Sequence, residues 1–231
     1  MPTIVFVSPK GGVGKTTSAL LLATQFAELY DVSVIDADPN RPIKAWAAGG
    51  ATPARMTIVS DADEENILER IEEAAAKTPL VVVDLEGTAA KIVVLAVSQA
   101  DFVVIPTQGS QLDAEQANRA IRVIRQQEKM TKRATPYGVL LTRTNTTIRT
   151  RNTSHIQAGL LAAGIPVFET ELNEREAFRS VFAFRQTLNG LDPKDVPNLD
   201  KARLNIQAFA AELLTKLQSR ATDTATEQEV A

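Results

Sequence analysis

The first seventeen residues restrict the fold more than any other part of the chain. Ile4-Val5-Phe6-Val7 is a short apolar run that stops at Ser8-Pro9, the pattern of a buried strand, and Ser18 to Tyr30 carries apolar residues at helical spacing. Between them stands Pro9-Lys10-Gly11-Gly12-Val13-Gly14-Lys15-Thr16-Thr17. A strand, a glycine-rich loop and a helix in that order make an anion site from backbone, because glycines let N–H groups turn inward and the helix N-terminus adds its dipole. In such a loop Lys15 neutralises β- and γ-phosphate charge and the Thr16 hydroxyl completes the coordination of Mg²⁺. Gly11, Gly12, Val13, Gly14 and Thr17 form the rest of the cradle. The pattern G-x-x-x-x-G-K-[ST] fails at one place, where Pro9 replaces its first glycine, and a second lysine, Lys10, precedes the glycine pair. Taken alone, Lys10 also reads as a solvated loop lysine.

Two further apolar runs end in carboxylates. Val32-Ser33-Val34-Ile35 leads into Asp36-Ala37-Asp38-Pro39, and Leu80-Val81-Val82-Val83 leads into Asp84-Leu85-Glu86-Gly87. Carboxylates at the C-terminal ends of parallel strands project into the crevice where doubly wound sheets bind ligands, so three separate segments converge on one edge. Strand-like and helix-like segments go on alternating: strands at Asp101–Pro106, Tyr137–Thr142 and Pro166–Phe168, helices over 64–77, 113–130, 150–163, 174–184 and 199–217. Gly87 to Ala100 is ambiguous because Ile92-Val93-Val94 is β-branched, and helix is the topologically easier reading. The expected fold is α/β: a doubly wound, mostly parallel sheet with helices on both faces, in one domain over 1–217. Residues 218–231, polar and without apolar periodicity, are expected to be a disordered tail.

Composition narrows the chemistry. The chain has 231 residues, 44% hydrophobic and 23% charged, and no apolar run near the roughly 20 residues of a membrane span. With no cysteine, zinc–thiolate sites, iron–sulfur clusters and disulfides are excluded. With no signal-peptide pattern either, a cytoplasmic protein is expected.

The string K-G-G-x-G-K-T-T at 10–17 resembles the deviant Walker A motif of the ParA/MinD family of ATPases. The resemblance implies a P-loop NTPase fold, ATP and Mg²⁺ as cofactors, and a nucleotide-sandwiched homodimer in which Lys10 reaches the phosphates bound by the partner. It also implies that Asp84 holds Mg²⁺, that Asp36 supports the metal side, and that Asp38 positions the attacking water. Asp84 and Gly87 stand closer than in the family's usual D-x-x-x-G, with Glu86 between them; Glu86 is a second polarising group or a solvated loop carboxylate. Thr142-Arg143-Thr144-Asn145 falls where the family places polar residues near adenine, which makes Arg143 and Asn145 candidates, although Asn145-Thr146-Thr147 also reads as a loop capping the next helix. Asp36 to Pro42 followed by Trp46, with Ile105-Pro106-Thr107 and Asn173 to Phe178, looks most like the short VirC-type ATPases of conjugative DNA transfer.

A net charge of −3 hides an uneven distribution. Arg119, Arg122, Arg125, Lys129, Lys132 and Arg133 recur at helical spacing, followed by Arg143, Arg149 and Arg151. Such a stripe is a solvated face or a surface for DNA phosphates. Arg175, Arg179, Arg185 and Arg203 fall near the C-terminal helices that carry nonspecific DNA contacts in ParA-like proteins, so Arg122, Arg125, Arg175, Arg179, Arg185 and Arg203 are the DNA-binding candidates. His155 and Trp46 are expected to be structural or surface residues. The resemblance therefore points to a slow, partner-stimulated ATPase, nucleoid-associated, that segregates or positions DNA or a DNA-processing complex together with a ParB-like adaptor or relaxosome protein. A ligase of the dethiobiotin-synthetase type shares the phosphate loop. A MinD-like positioning ATPase needs a basic amphipathic C-terminal helix, which the polar tail lacks, so no membrane partner is expected.

Overall fold

The computed structural model describes residues 1–87, 90–145 and 151–229, the side chains at 90 and from 220 onward excepted; Arg149 and the start of the helix expected from Thr150 lie outside them. The chain alternates strand and helix: β1 (Thr3–Phe6), α1 (Lys15–Phe26), β2 (Val32–Ala37), α2 (Pro42–Ala47), β3 (Met56–Val59), α3 (Ile67–Lys77) and β4 (Leu80–Leu85). It continues with α4 (Ala90–Ser98), β5 (Phe102–Thr107), α5 (Gln111–Thr131), β6 (Tyr137–Thr144), α6 (Arg151–Ala162), β7 (Leu172–Asn173), α7 (Glu176–Ala183) and α8 (Leu199–Glu229). The seven strands form one sheet in the order β3-β2-β4-β1-β5-β6-β7, every ladder parallel.

The strands read as unbroken apolar runs because both faces of the sheet are covered. Along β1, Ile4 and Phe6 enter the core under α1, α7 and α8, whereas Val5 and Val7 enter the core under α3, α4, α5 and α6. Val82 and Val83 of β4, and Val104 and Ile105 of β5, divide in the same way. This period of two decides where the carboxylates go. Asp36 follows Val32 and Val34, Asp84 follows Leu80 and Val82, and the two aspartates are register partners on adjacent strands. Both therefore stand on the α1 side of the sheet, at its C-terminal edge.

Two expectations change, and two elements appear that none covered. Pro166-Val167-Phe168 is not a strand but makes a single bridge, Val139 to Val167; the edge strand is Leu172–Asn173, two residues too short to leave a sequence period. The edge strand Met56–Val59 and the helix Pro42–Ala47 carry no signal strong enough to predict them, and α2 is a six-residue helix with Pro42 in its first turn. The polar segment expected as a disordered tail is helical to Glu229, a continuation of α8, whose apolar packing is described as far as Leu217. The segment around Ile92 is helix α4, as its place between two parallel strands requires. Among the described residues no helix is long and apolar enough to cross a membrane.

Candidate active site

The loop after β1 closes on α1 through Gly14, whose φ of 94° lies in the left-handed region that favours glycine. No side chain caps α1, which leaves its first N–H groups without a side-chain partner where Lys15, Thr16 and Thr17 line the cavity. Thr142, at the end of β6, donates from Oγ1 to the Val13 carbonyl at 2.7 Å and ties the loop to the sheet. The result is a cavity of about 320 Å³ lined by Gly11, Gly12, Gly14, Lys15, Thr16 and Thr17 on one side and by Asp38, Asn40, Glu86, Gly87 and Arg143 on the other. Glu86, ambiguous in the sequence, thus faces the cavity.

Lys15 is buried, and its Nζ donates to the Lys10 carbonyl at 3.2 Å. Burial holds its ammonium below the usual lysine range, against the opposing pull of Asp84, Asp38 and Glu86. A desolvated lysine aimed at a cavity of N–H groups is suited to an anion with several oxygens. Gly87 makes room for it: a Cβ there would stand 2.8 Å from the Ser8 carbonyl oxygen and 3.2 Å from Lys15 Nζ.

Asp36 and Asp84 are both 0% exposed. The Asp36 carboxylate accepts the Lys44 N–H from the first turn of α2 at 2.9 Å, while its Oδ1 has no hydrogen-bond partner. Neither oxygen of Asp84 has one of full geometry. Burial pushes Asp84 up to about 7; the nearby Thr16 hydroxyl and Lys15 temper the shift, and Asp36 and Asp38 add to it. Asp36 is raised for the same first reason, with the Lys44 N–H and Arg41 opposing. Two adjacent buried carboxylates with three unpartnered oxygens are unfavourable unless a cation joins them. An all-oxygen donor set of Thr16, Asp84 and Asp36 suits Mg²⁺, which would neutralise phosphate charge there. The site fits the ion on its own chemistry.

Asp38 is half-buried at the cavity wall, its Oδ1 accepting both the backbone N–H (2.8 Å) and the side-chain amide (3.0 Å) of Asn40. Arg41, with φ 48°, donates to the Asp36 carbonyl and, at 2.9 Å, to the Ala62 carbonyl, and so fixes the turn between β2 and α2. Sequence reasoning missed Arg41, Asn40 and Thr142, since each works through a backbone contact that leaves no spacing pattern. Trp46 is a packing residue, as expected, with Nε1 donating to the Gln186 carbonyl at 3.2 Å.

Arg143 occupies an irregularity in the β6–β7 register between Thr142 and Thr144, with φ 52°. Such bulges re-aim a side chain. Here Arg143 lines both the phosphate cavity and a neighbouring cavity of about 310 Å³, floored by Leu21, Leu172, Phe178 and Phe182 and rimmed by Asn173, Glu174, Arg175 and Arg179. Asn145 is exposed beyond the strand and does not line either cavity.

The six DNA-binding candidates do not form one patch. Arg122 and Arg125 line a cavity between α5 and the end of α6, with Arg125 3.4 Å from the Tyr137 hydroxyl.

 Arg125 donates to that hydroxyl, and both guanidinium groups are exposed along the row that Arg119, Lys129 and Lys132 extend. Arg175 and Arg179 instead stand at the rim of the apolar-floored cavity. Burial lowers Arg175, which donates to Asn173 and Asn205, and Arg179 is paired with Glu174 and Glu176, each at 2.7 Å. Arg203 pairs with Asp200 at 3.0 Å and donates to the Leu188 carbonyl. Arg185 is exposed, in the left-handed conformation, with its Cβ against Gly49. His155 is exposed on α6, as a surface role requires.

Comparison with known proteins agrees with this geometry. The family model described as VirC1 protein matches residues 1–190. Protein ParA of Rhizobium radiobacter is 35% identical over 218 residues, covering 94% of this chain and 98% of the relative. Protein virC1 of Rhizobium rhizogenes is 27% identical over 222 residues, covering 93% and 95%. Among solved structures, an ATP complex of a McdA variant from Cyanothece superposes with a TM-score of 0.71 at 18% identity, over 90% of this chain and 96% of that one. The matched family model spans the phosphate loop, the paired aspartates and the bulge at Arg143, so the chain belongs to the VirC1 family, within the ParA/MinD group of partition and positioning ATPases.

Proposed function

We propose that this protein is an ATP-dependent dimerising switch that hydrolyses ATP slowly with Mg²⁺, is stimulated by a partner protein, and positions or segregates DNA or a DNA-processing complex. The observation that carries the reading is the division between the two lysines of one loop. Lys15 is buried in the phosphate cavity, whereas Lys10 does not line it and is half-exposed outside. One lysine serves the chain's own nucleotide, and the other is available to a second subunit. Lys15, Thr16 and the backbone of 11–17 hold the phosphates, Thr16, Asp84 and Asp36 hold Mg²⁺, and Asp38 orients water at the cavity wall. The cavity floored by Leu21, Phe178 and Phe182 takes the base, with Arg143 between base and phosphates.

DNA is the proposed cargo surface or track, contacted without sequence preference and in the ATP-bound dimer, where two basic faces act together. The exposed row of Arg119, Arg122, Arg125, Lys129 and Lys132, with Arg185, is favoured for these contacts over Arg179 and Arg203, whose charges are already paired. The adaptor would be a ParB-like or relaxosome protein in the cytoplasm, at the nucleoid.

Light scattering with ATP, with ADP and without nucleotide tests the switch. The expected result is a dimer only with ATP, a long-lived dimer for Asp38→Ala, and a monomer that still binds ATP for Lys10→Ala. Assembly that ignores nucleotide would sink the reading. Fluorescence anisotropy on random-sequence duplex then tests the track: binding should require ATP and fall steeply with salt.

A further inference from the structure

Lys10 faces two ways. Its carbonyl accepts from Lys15 inside the loop, while its own Nζ is drawn outward to Asp113 Oδ1 at 2.6 Å. Asp113 is the third residue of α5 and its side chain is 2% exposed, against 40% for Lys10. Its other oxygen accepts from the Ser110 hydroxyl, and that same Ser110 oxygen caps α5 by accepting the Asp113 N–H at 3.2 Å. Both carboxylate oxygens are thus engaged, and the carboxylate cannot swing away without losing the Ser110 hydroxyl. A second contact from the same connection holds the loop two residues on, where Gln108 donates to the Gly12 carbonyl at 3.1 Å. The stretch from Gln108 into the first turn of α5 therefore grips the loop on both sides of Gly11. Leu112, next to Asp113 in the chain, is 67% exposed.

A lysine on four rotatable bonds next to an anion cavity would otherwise turn into that cavity once phosphate entered it. The Asp113 pair opposes this, because a buried carboxylate deprived of its cation is an uncompensated charge. An ammonium has three donors, and Asp113 engages one of them. We propose that Asp113 is a positioning residue that holds Lys10 out of its own phosphate cavity and presents its remaining donors to the nucleotide of a second copy of this chain. The inference rests on the two-lysine reading of the proposed function.

The test is a double-mutant cycle on the full chain, with the dimer dissociation constant measured by sedimentation in a non-hydrolysable ATP analogue and Mg²⁺. Monomer affinity for a fluorescent ATP analogue is measured separately, below the dimerisation range. Asp113→Ala is expected to weaken the dimer about tenfold or more while leaving monomer affinity equal to or tighter than the parent's, since a released Lys10 adds a cation to its own phosphate cavity. The double variant with Lys10→Ala should be no weaker than Lys10→Ala alone, since Asp113 acts only through the lysine. Asp113→Asn, which keeps the shape and the Ser110 contact but removes the charge, should weaken the dimer in the same way, and it replaces Asp113→Ala if that variant does not fold. If Lys10→Ala loses the dimer while both Asp113 variants match the parent or bind more tightly, the positioning role is overturned and the two-lysine reading stands. Additive losses in the double variant overturn it as well, because Asp113 would then act on the interface independently of Lys10. A parent chain that does not dimerise, or a Lys10→Ala variant that dimerises like it, takes down both readings.

Discussion

The edge formed by β1, β2 and β4 and the outer faces of α5 and α7, which lie on opposite sides of the sheet, both concentrate charge, but in opposite ways. At the edge the carboxylates are buried and under-satisfied: three oxygens of Asp36 and Asp84 have no hydrogen bond of full geometry. On the surface the charges are exposed, and several are already neutralised, Arg179 by Glu174 and Glu176, Arg133 by Asp101 and Arg203 by Asp200. A buried unpartnered charge is expensive and marks a place completed by a ligand, whereas an exposed pair contributes little and marks nothing by itself. The basic surface is therefore the part of the functional reading that needs the heavier experimental support.

The largest effect separating the two regions is expected at Lys15. Lys15→Ala or Lys15→Gln should lower ATP affinity by about a hundredfold or more, because a charge-assisted contact in a desolvated cavity is lost. Isothermal titration checks this, and wild-type affinity would erase the distinction between edge and surface.

Asp84 should give an effect on stability of a few kcal/mol and of unusual sign. Its value near 7 lies above the ordinary 3.8, so in metal-free protein the stability it contributes is complete below about pH 4 and is lost as pH rises through 7. Asp84→Asn should raise the metal-free melting temperature at pH 8, flatten its fall between pH 4 and 7, and abolish the further rise with Mg²⁺ and ATP. Thermal denaturation across that range decides it; a variant less stable than the parent at pH 8 would mean that Asp84 is satisfied without a cation.

Gly87→Ala probes the same edge by shape. The new Cβ would meet the backbone oxygens of Ser8 and Pro9 at 2.8 and 3.1 Å, so a loss of about 1–3 kcal/mol in stability is expected, with weaker ATP binding as Lys15 is displaced. Chemical denaturation and titration of the same sample report the two parts.

On the surface the effects should be smaller and unequal. Arg122→Glu and Arg125→Glu are each expected to weaken ATP-dependent DNA binding about three- to tenfold and to reduce its salt dependence, with hydrolysis unchanged. Arg179→Ala should leave both DNA affinity and melting temperature unmoved. If Arg179 matters as much as Arg122 in the anisotropy titration, the ion pairs open on DNA and the contrast drawn between the regions fails there.

The phosphate edge was legible because its parts are local. A strand, a glycine loop and a helix are contiguous in sequence, and a period of two along β2 and β4 places Asp36 and Asp84 on the α1 side without any knowledge of neighbours. The β7 edge was not legible, since two residues cannot show a period and Pro166–Phe168 was the better-looking apolar run. The helical run past Leu217 was missed for a related reason: its polar sequence lacks the apolar stripe from which helices are read.

By itself the sequence determined the order of elements, the doubly wound sheet and the residues that converge on its carboxyl edge, because period and motif act over a few residues. Tertiary structure alone decided the long-range contacts that hold the phosphate loop and its two cations in place. Lys10 meets Asp113 across 103 positions of chain, Thr142 reaches Val13 across 129, and Arg143 is aimed by a bulge that depends on β7. Contacts at such separations follow from how helices pack over the sheet, and no local spacing records them.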